Sequence, residues 1–292
     1  MASVAERVAA TGLLEPDRVV VVLLSGGRDS VCLLDLAVER AAAVRALHVN
    51  YGLRDSAGAD ERLCAALCER LGVPLSVRTP QRPRSGNLMA WAREERYAAA
   101  RELAAGADIA AGHTATDQVE TVLYRLAASP GRRALLGMRE RDGDLIRPLL
   151  TVTREETAAY CAEHGLAYAE DPTNDSPDFA RNRIRQALVP LLRAVHPAAE
   201  TNVLRTLEVL RDEATVLDAV VDEVLTDDVE ALRVLPPALR RLVLDRLAGT
   251  PVSRRGEEIL ALEAGMVDLA GGVRAIVECG RVRFEPTPPL QT

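Results

Sequence analysis

The segment that most constrains the fold of this chain is a glycine loop that follows a short β-branched run. Residues 19–24 read VVVVLL, which is typical of a parallel strand buried on both faces. The next residues read SGGRDS, and apolar side chains at helical spacing follow from Val31 to Val38. This order predicts a strand, a tight turn and a helix, with a ligand site at the carboxyl end of the strand.

The composition of the loop indicates an anion site. Gly26 and Gly27 lack a Cβ atom, so their N–H groups can approach a phosphate closely, and the helix N-terminus adds a positive dipole end. Ser25 and Ser30 add hydroxyl donors. Because a carboxylate repels phosphate, Asp29 is best explained by a Mg²⁺ ion that bridges to the phosphates. The simpler alternative is a tight turn in which Asp29 only caps the helix.

Strand and helix patterns alternate through the first two-thirds of the chain, which predicts an α/β fold with a parallel, Rossmann-like sheet and right-handed crossovers. Strands are expected at 19–24, 44–49, 75–77 and 107–111. Helices are expected at 29–40, 58–71, 87–105, 117–127, 154–164 and 179–193. The region 129–154 is rich in Gly, Pro and Arg and is interpreted as a loop.

We expect two domains, 1–199 and 200–292. The second is smaller and mostly helical, ends in a hairpin at 273–284, and holds 11 arginines and 17 acidic residues. The whole chain has a net charge of −7, so any contact with nucleic acid must be local. No apolar run approaches the ~20 residues of a membrane span, and the five cysteines are scattered. These features predict a cytoplasmic protein without disulfides.

The SGGRDS loop lacks the lysine of the G-x-x-x-x-G-K-[ST] phosphate loop. It resembles the PP-loop of the N-type ATP pyrophosphatases, which cleave ATP between its α and β phosphates. The resemblance implies ATP and Mg²⁺ as cofactors, with Asp29 as the metal ligand. The implied ATP contacts are Ser25, Gly26, Gly27, Arg28, Asp29 and Ser30.

Further segments, in order between residues 17 and 200, resemble the tRNA(Ile)-lysidine synthetase family. They are HVNYGLR at 48–54, GN with AREERY at 86–97, GHTATDQVET at 112–121, the loop 131–138, RPLL at 147–150 and DPTN with RNRIR at 171–185. The chain departs from the family pattern at Tyr51, Met89 and Thr116, where His, Glu and Asp are usual. Six ordered matches are far more specific than any single one.

The family resemblance implies a two-step reaction on a tRNA(Ile) with a CAU anticodon. The O2 atom of the wobble cytidine attacks the α-phosphate of ATP, and pyrophosphate leaves. The ε-amino group of free lysine then attacks C2, AMP departs, and lysidine is formed.

Asp117 and Glu120 lie three residues apart, so their carboxylates share one helix face and can hold Mg²⁺ or an amino group. The resemblance implies that this face grips lysine. Arg93 on the preceding helix can pair with the carboxylate of lysine or with phosphate, and a surface ion-pair network with Glu94 and Glu95 is the alternative.

His113 precedes the helix and can act on a proton or contact the base, and a merely structural role is the alternative. The sequence does not choose among Asp117, Glu120 and His113 as the group that deprotonates lysine. The alternative to a binding role for the two acids is that they lie at a solvated helix N-terminus, where the helix dipole favours negative charge.

A local cluster of arginines is the predicted site of contact with tRNA. Residues 181–199 contain four arginines and no acidic residue, and such a patch can follow a phosphate backbone. The predicted tRNA contacts are Arg133, Arg181, Arg183 and Arg185. A solvated charged face is the alternative.

Two rival functions remain open at this stage. A PP-loop tRNA 2-thiolase related to this family usually carries paired CxxC motifs, whereas Cys64 and Cys68 lie four apart on a predicted helix and are expected in the core. A non-catalytic nucleotide- or RNA-binding adaptor would not need Asp29, Asp117 and Glu120. For residues 200–292 we expect a role in tRNA recognition, with a stabilising appendage or the contact of a homodimer as the alternative.

Overall fold

The computed structural model describes residues 2–52, 57–128, 131–169, 180–252 and 255–288, without the side chains of residues 133 and 134. The chain forms two compact units, Met1–Glu208 and Val209–Thr292. The predicted boundary at 199/200 falls at the start of a helix, Ala199–Glu223 (α10), that begins in the first unit and ends in the second.

The first unit is built on a six-stranded sheet. Its strands are β1 Val19–Leu23, β2 Ala43–Val49, β3 Leu75–Arg78, β4 Asp108–Ala110, β5 Arg141–Asp142 and β6 Leu145–Ile146. Their order is β3-β2-β1-β4-β6-β5, and only β5 pairs antiparallel among these strands. The predicted α/β class with a mostly parallel sheet is therefore confirmed.

Nine helices in the described part of the first unit precede α10. They are α1 Val4–Ala10, α2 Arg28–Arg40, α3 Ala57–Leu71, α4 Leu88–Ala104, α5 Ala115–Ala128, α6 Arg132–Leu135, α7 Arg154–Glu163, α8 Ala180–Arg183 and α9 Val189–Val195. The Asn87 side chain caps α4 by accepting two backbone N–H groups, as the sequence predicts.

Strand β1 is the centre of the hydrophobic core because both of its faces are covered. Val20 and Val22 pack into one cluster with α2, and Val21 and Leu23 pack into another with α4. Full burial of each such side chain contributes roughly 1.5–3 kcal/mol. The short β-branched run thus fixes the position of the loop that follows it.

Two parts of the sequence interpretation were wrong. The region taken as a loop at 129–154 contains α6 and the β5–β6 hairpin, and β6 extends the parallel sheet beside β4. Strands of two residues are too short to show an alternating pattern. The helix expected at 179–193 is interrupted at Ile184–Leu188 by a π-helical turn, just before Pro190, which cannot donate a helical N–H bond.

The second unit contains the end of α10 and a small mixed fold. Its other elements are α11 Val229–Val234, α12 Pro237–Ala248, α13 Gly256–Ala261, β7 Gly265–Asp268, β8 Val273–Glu278 and β9 Arg281–Pro286. The predicted hairpin is present as β8–β9, and β7 adds a third antiparallel strand. No helix among the described residues has the length and apolarity needed to cross a bilayer.

The loop after β4 approaches the start of α2 closely. A Cβ atom on Gly112 would lie 3.0 Å from the backbone carbonyl carbon and oxygen of Asp29 and 3.1 Å from the backbone nitrogen of Ser30. These are backbone atoms in the first turn of a helix, so they cannot move aside cheaply. Glycine at 112 therefore lets the N-termini of α2 and α5 come together.

We expect Gly112→Ala to lower the free energy of unfolding by about 1–3 kcal/mol, because the added methyl group overpacks this contact. Chemical denaturation with circular dichroism measures the change. Gly58→Ala in α3 is the matched control, since a Cβ there meets only the flexible end of Arg62 at 3.5 Å. Equal stability of the two variants would contradict the proposed constraint.

Candidate functional site

A cavity of about 630 Å³ lies at the carboxyl ends of β1 and β2 and beside the loop after β4. We call it the loop cavity. Its floor is apolar and includes Leu23, Leu47 and Ala111. Its charged wall includes the side chains Arg28, Asp29, Arg96, Asp117, Glu120, Arg154, Arg181 and Arg185.

The glycine loop forms one side of this cavity. Gly26 has a φ of +88°, which a residue with a side chain rarely adopts. The Ser30 hydroxyl donates to the carbonyl of Gly27 at 2.8 Å and lies 3.1 Å from the hydroxyl of Ser25. Gly27 is the N-cap of α2 and provides no side-chain acceptor. The first turn of α2 is thus available to an anion.

Asp29 lies inside the first turn of α2 and is not its cap, which removes the simpler explanation for this residue. Its carboxylate is held by two side chains of α7. The hydroxyl of Thr157 donates to Oδ1 at 2.5 Å, and Nε of Arg154 lies 3.4 Å from Oδ2. Burial raises the pKa of Asp29, and Thr157 and Arg154 oppose that shift.

The donor set fits a magnesium ion that is held mainly by its nucleotide. No cluster of three His, Cys, Asp or Glu side chains that could hold a metal is present among the described residues. Mg²⁺ commonly uses one or two carboxylates and fills its other positions with phosphate oxygens and water. The Asp29 carboxylate, at the end of the glycine loop, can supply that single protein ligand.

Two further carboxylates face the loop from α5. Asp117 accepts the backbone N–H and the hydroxyl of Thr114 at 2.8 and 2.9 Å. Glu120 is 1% exposed and accepts two bonds from the guanidinium of Arg185, at 2.6 and 3.0 Å. Burial raises the pKa of Glu120, and the bonds from Arg185 oppose this. The structure therefore brings the predicted acidic pair into one cavity with Asp29.

His113 lies between these groups. Burial lowers its pKa to about 4, although the Asp117 carboxylate acts in the opposite direction. Its Nδ1 atom is buried and has no hydrogen-bond partner among the described residues. The imidazole is therefore neutral at pH 7.

Comparison with known proteins identifies the family. Residues 2–192 match the family described as the PP-loop domain. The chain is 38% identical over 94% of its length to the tRNA(Ile)-lysidine synthase of a Thermus thermophilus strain and spans 58% of that protein. It is 39% identical over 83% of its length to the enzyme of the same name from Nocardia farcinica and spans 81% of it. The chain belongs to the tRNA(Ile)-lysidine synthase family.

A solved structure of another PP-loop protein shares the fold. It is the U34-tRNA thiolase from Methanococcus maripaludis with its [4Fe-4S] cluster. The TM-score is 0.60 at 19% identity, over 71% of this chain and 78% of the other. In the present chain Cys64 and Cys68 are buried, and burial raises their pKa to about 12 and about 11. Both are therefore buried thiols of the core, as predicted.

The arginines predicted to contact lysine or tRNA lie in different surroundings. Arg93 is not among the side chains that line the loop cavity, and its guanidinium lies 4.8 Å from the centre of the Tyr97 ring. Arg181 and Arg183 are exposed. Arg185, predicted to contact tRNA, is bonded to Glu120, and its side chain is 26% exposed. The side chain of Arg133 lies outside the described residues.

Sequence reasoning missed Arg154 and Thr157, which hold Asp29. The start of α7 has a visible signal, because Thr153 and Glu156 form a capping box. The capping box predicts the helix α7 but not the contact of that helix with Asp29, which lies 125 residues or more away in the sequence. Only the packing of α7 against α2 shows that these side chains meet Asp29.

Two departures from the family pattern also have local explanations. The hydroxyl of Tyr51 donates to the carbonyl of Ala92 at 2.8 Å, and its ring packs edge-on against Trp91. The hydroxyl of Thr116 accepts the backbone N–H of Arg154 at 3.2 Å. Both side chains therefore join elements that surround the loop cavity.

The pKa of His113 generates a pH prediction. The pKa of His113 is 6.5 in the unfolded chain and about 4 in the folded protein. Between pH 4 and pH 6.5 the unfolded chain therefore binds more protons than the folded protein. Its contribution to stability is present above pH 6.5 and is lost as the pH falls toward 4. We expect His113→Gln to lose less unfolding free energy than the parent between pH 7 and pH 4.5.

Urea denaturation at several pH values measures this difference. His196→Gln is the matched control, because His196 is exposed beyond the end of α9. If His113→Gln and the parent have parallel profiles, the imidazole is not buried in its neutral form.

Proposed function

We propose that this protein ligates free lysine to C2 of the wobble cytidine of a tRNA(Ile) with a CAU anticodon and converts ATP to AMP and pyrophosphate. The proposal rests on the set of residues that line the loop cavity. A phosphate-binding loop with Asp29 faces a pair of carboxylates, Asp117 and Glu120, across one space. Adenylation and capture of an amine need these two kinds of group within reach of one base.

The loop side of the cavity serves the adenylation step. The O2 atom of cytidine forms a bond to the α-phosphorus as the bond to the pyrophosphate oxygen breaks. We expect the backbone N–H groups of residues 26–28 and the hydroxyls of Ser25 and Ser30 to stabilise charge on the phosphates. A bound Mg²⁺ ion would add positive charge at the polyphosphate. Arg154, beside Asp29, is a further cation at this end of the cavity.

The α5 side serves the second step. The lysine amine attacks C2, and the electron pair of the C2–O bond leaves with AMP. Glu120 and Asp117 offer negative charge to the amine, and the Arg185 guanidinium now occupies this position, with one nitrogen 3.9 Å from Asp117. Lysine binding therefore requires Arg185 to share or leave its bond to Glu120. Because a base with a pKa of about 4 is weak, His113 is a poorer proton acceptor than a histidine in water.

The tRNA contacts in this proposal are the exposed arginines Arg181 and Arg183, together with the second unit. The wobble base must leave its stack to reach ATP, which a flexible anticodon loop permits more easily than a duplex. With tRNA as the proposed substrate, we expect the protein to act in the cytoplasm.

The direct test is incorporation of labelled lysine into unmodified tRNA(Ile) with a CAU anticodon. ATP, Mg²⁺, lysine and tRNA are omitted in turn, and tRNA(Met) is the competing substrate. We expect incorporation only when all four components are present, with release of AMP and pyrophosphate. Sulfur transfer, or nucleotide binding without turnover, would instead support the thiolase or the adaptor.

We expect Glu120→Gln to raise the KM for lysine by about ten- to a hundredfold, because one charge-assisted hydrogen bond contributes roughly 1.5–3 kcal/mol. Pyrophosphate release dependent on tRNA should persist, since the change lies across the cavity from the glycine loop. Glu155→Gln on α7, where the side chain is 68% exposed, is the control. Weakened ATP binding with an unchanged KM for lysine would reassign Glu120 to the metal.

We propose that residues 200–292 help to select the tRNA through exposed arginines. Arg281 bonds to Asp227 at 2.6 Å, and Arg283 pairs with Glu285. A double variant, Arg281→Gln with Arg283→Gln, should weaken tRNA binding and reduce its salt dependence, while ATP binding is unchanged. Arg241→Gln, an exposed position on α12, is the control. Identical tRNA affinity in the double variant would leave this segment with a structural or dimerising role.

A further inference from the structure

The hydroxyl of Thr157 on α7 has two acceptors within reach. The residue is 0% exposed, and its hydroxyl lies 2.5 Å from Oδ1 of Asp29 and 3.0 Å from the carbonyl oxygen of Arg154. A threonine in a helix can bond a carbonyl of the preceding turn, so Thr157 does not need Asp29 in order to be satisfied. A hydroxyl bonds a carboxylate more strongly than a neutral carbonyl, and the bond to Asp29 is the shorter of the two. The contact therefore serves the carboxylate.

The two oxygens of the Asp29 carboxylate have different surroundings. Oδ1 accepts the hydroxyl of Thr157, whereas Oδ2 accepts no hydrogen bond from the described residues. Nε of Arg154 lies 3.4 Å from Oδ2 but is not aligned for a hydrogen bond, and it has no other partner in the described part of the chain. Because Thr157 is a neutral donor, it fixes the carboxylate without cancelling its charge. Oδ2 is therefore the oxygen that is left to bind a cation.

Helix α7 is joined to α2 by two further polar contacts. The hydroxyl of Tyr160 donates to Oδ2 of Asp35 at 2.8 Å, and the thiol of Cys161 donates to the carbonyl of Arg28 at 3.6 Å. Thr157 lies three and four residues before this pair, so all three side chains share one face of α7. The Thr157 hydroxyl therefore comes from a helix that is fixed on α2, the helix that carries the proposed metal ligand.

We propose that Thr157 is a positioning residue that orients Asp29 so that its Oδ2 atom binds the Mg²⁺ ion of the nucleotide. The assignment rests on the proposed function, because it takes ATP with Mg²⁺ as the ligand of the glycine loop. Hydrogen-bond partners of metal ligands fix the orientation of those ligands, and their loss commonly lowers metal affinity by about ten- to a hundredfold. Thr157 supplies such a bond to Asp29.

Thr157 and Arg154 both approach Asp29, but only Thr157 suits this role. Arg154 lines the loop cavity, so it can contact a substrate directly, and its positive charge competes with a metal ion for Oδ2. Thr157 is not among the residues that line the cavity. Its effect on a bound nucleotide therefore passes through the Asp29 carboxylate, which separates its role from that of a substrate contact.

The test measures how strongly Mg²⁺ increases the affinity of the full-length protein for α,β-methylene-ATP, which cannot be cleaved between its α and β phosphates. Calorimetry gives the Kd with excess Mg²⁺ and again with EDTA, and the ratio of the two values is the readout. The variants are Thr157→Val, Thr157→Cys and Thr157→Ser. Thr11→Val is the matched control, because the Thr11 hydroxyl donates to the carbonyl of Val8, three residues earlier, at 2.7 Å. Thermal melting checks that each variant is folded.

We expect Mg²⁺ to strengthen binding of the analogue by the same factor in the parent, Thr157→Ser and Thr11→Val. In Thr157→Val this factor should fall by about tenfold, whereas the Kd in EDTA should be unchanged. Thr157→Cys retains only a weak donor, so its factor should lie between these values. In the lysine incorporation assay, Thr157→Val should need more Mg²⁺ and approach the rate of the parent when Mg²⁺ is saturating.

Three outcomes overturn the assignment. The first is an equal effect of Mg²⁺ in Thr157→Val and the parent. The second is an equal loss of affinity with Mg²⁺ and with EDTA, which would indicate a general disturbance of the loop cavity. The third is failure of both Thr157→Val and Thr157→Cys to fold, which would give the hydroxyl a structural role instead. A parent protein that binds the analogue with Mg²⁺ but incorporates no lysine refutes the proposed function alone.

Discussion

The approach of the β4–α5 loop to the first turn of α2 is the constraint on which the site depends. Gly112 lies so close to the backbone of Asp29 and Ser30 that a side chain at this position would force these backbone atoms to shift. Parallel pairing of β4 with β1 brings the two helix N-termini to one edge of the sheet. Both positive dipole ends therefore point toward one cavity, which explains how a chain of net charge −7 keeps a local site for polyphosphate.

Two acids of the loop cavity, Asp29 and Glu120, are each paired with an arginine from another segment of the first unit. Asp29 is held by Arg154 and Thr157 from α7, and Glu120 is held by Arg185. Removing one partner from a buried pair leaves the other uncompensated, which destabilises a protein strongly. In the proposed reaction, substrates that replace a partner avoid this penalty, so ATP and lysine enter a site that is already folded.

Much of the fold was accessible from sequence for local reasons. The β-branched run of β1, the cap at Asn87 and the hairpin of β8 and β9 depend on residues near one another in the chain. The same is true of the glycine loop, whose chemistry is contained in six consecutive residues. The β5–β6 hairpin was missed because its strands have two residues each, and the break before Pro190 was missed because apolar spacing continues across it.

The amino-acid sequence by itself determined the α/β class, the phosphate loop and the acidic pair of α5, since each is written in short-range spacing. Only the tertiary structure decided which charges meet. It placed Arg154 and Thr157 on Asp29 and Arg185 on Glu120. These pairs join residues 65 to 128 positions apart, and no local pattern encodes such a distance. Helix packing against the sheet sets it, because packing is governed by the fit of whole apolar surfaces.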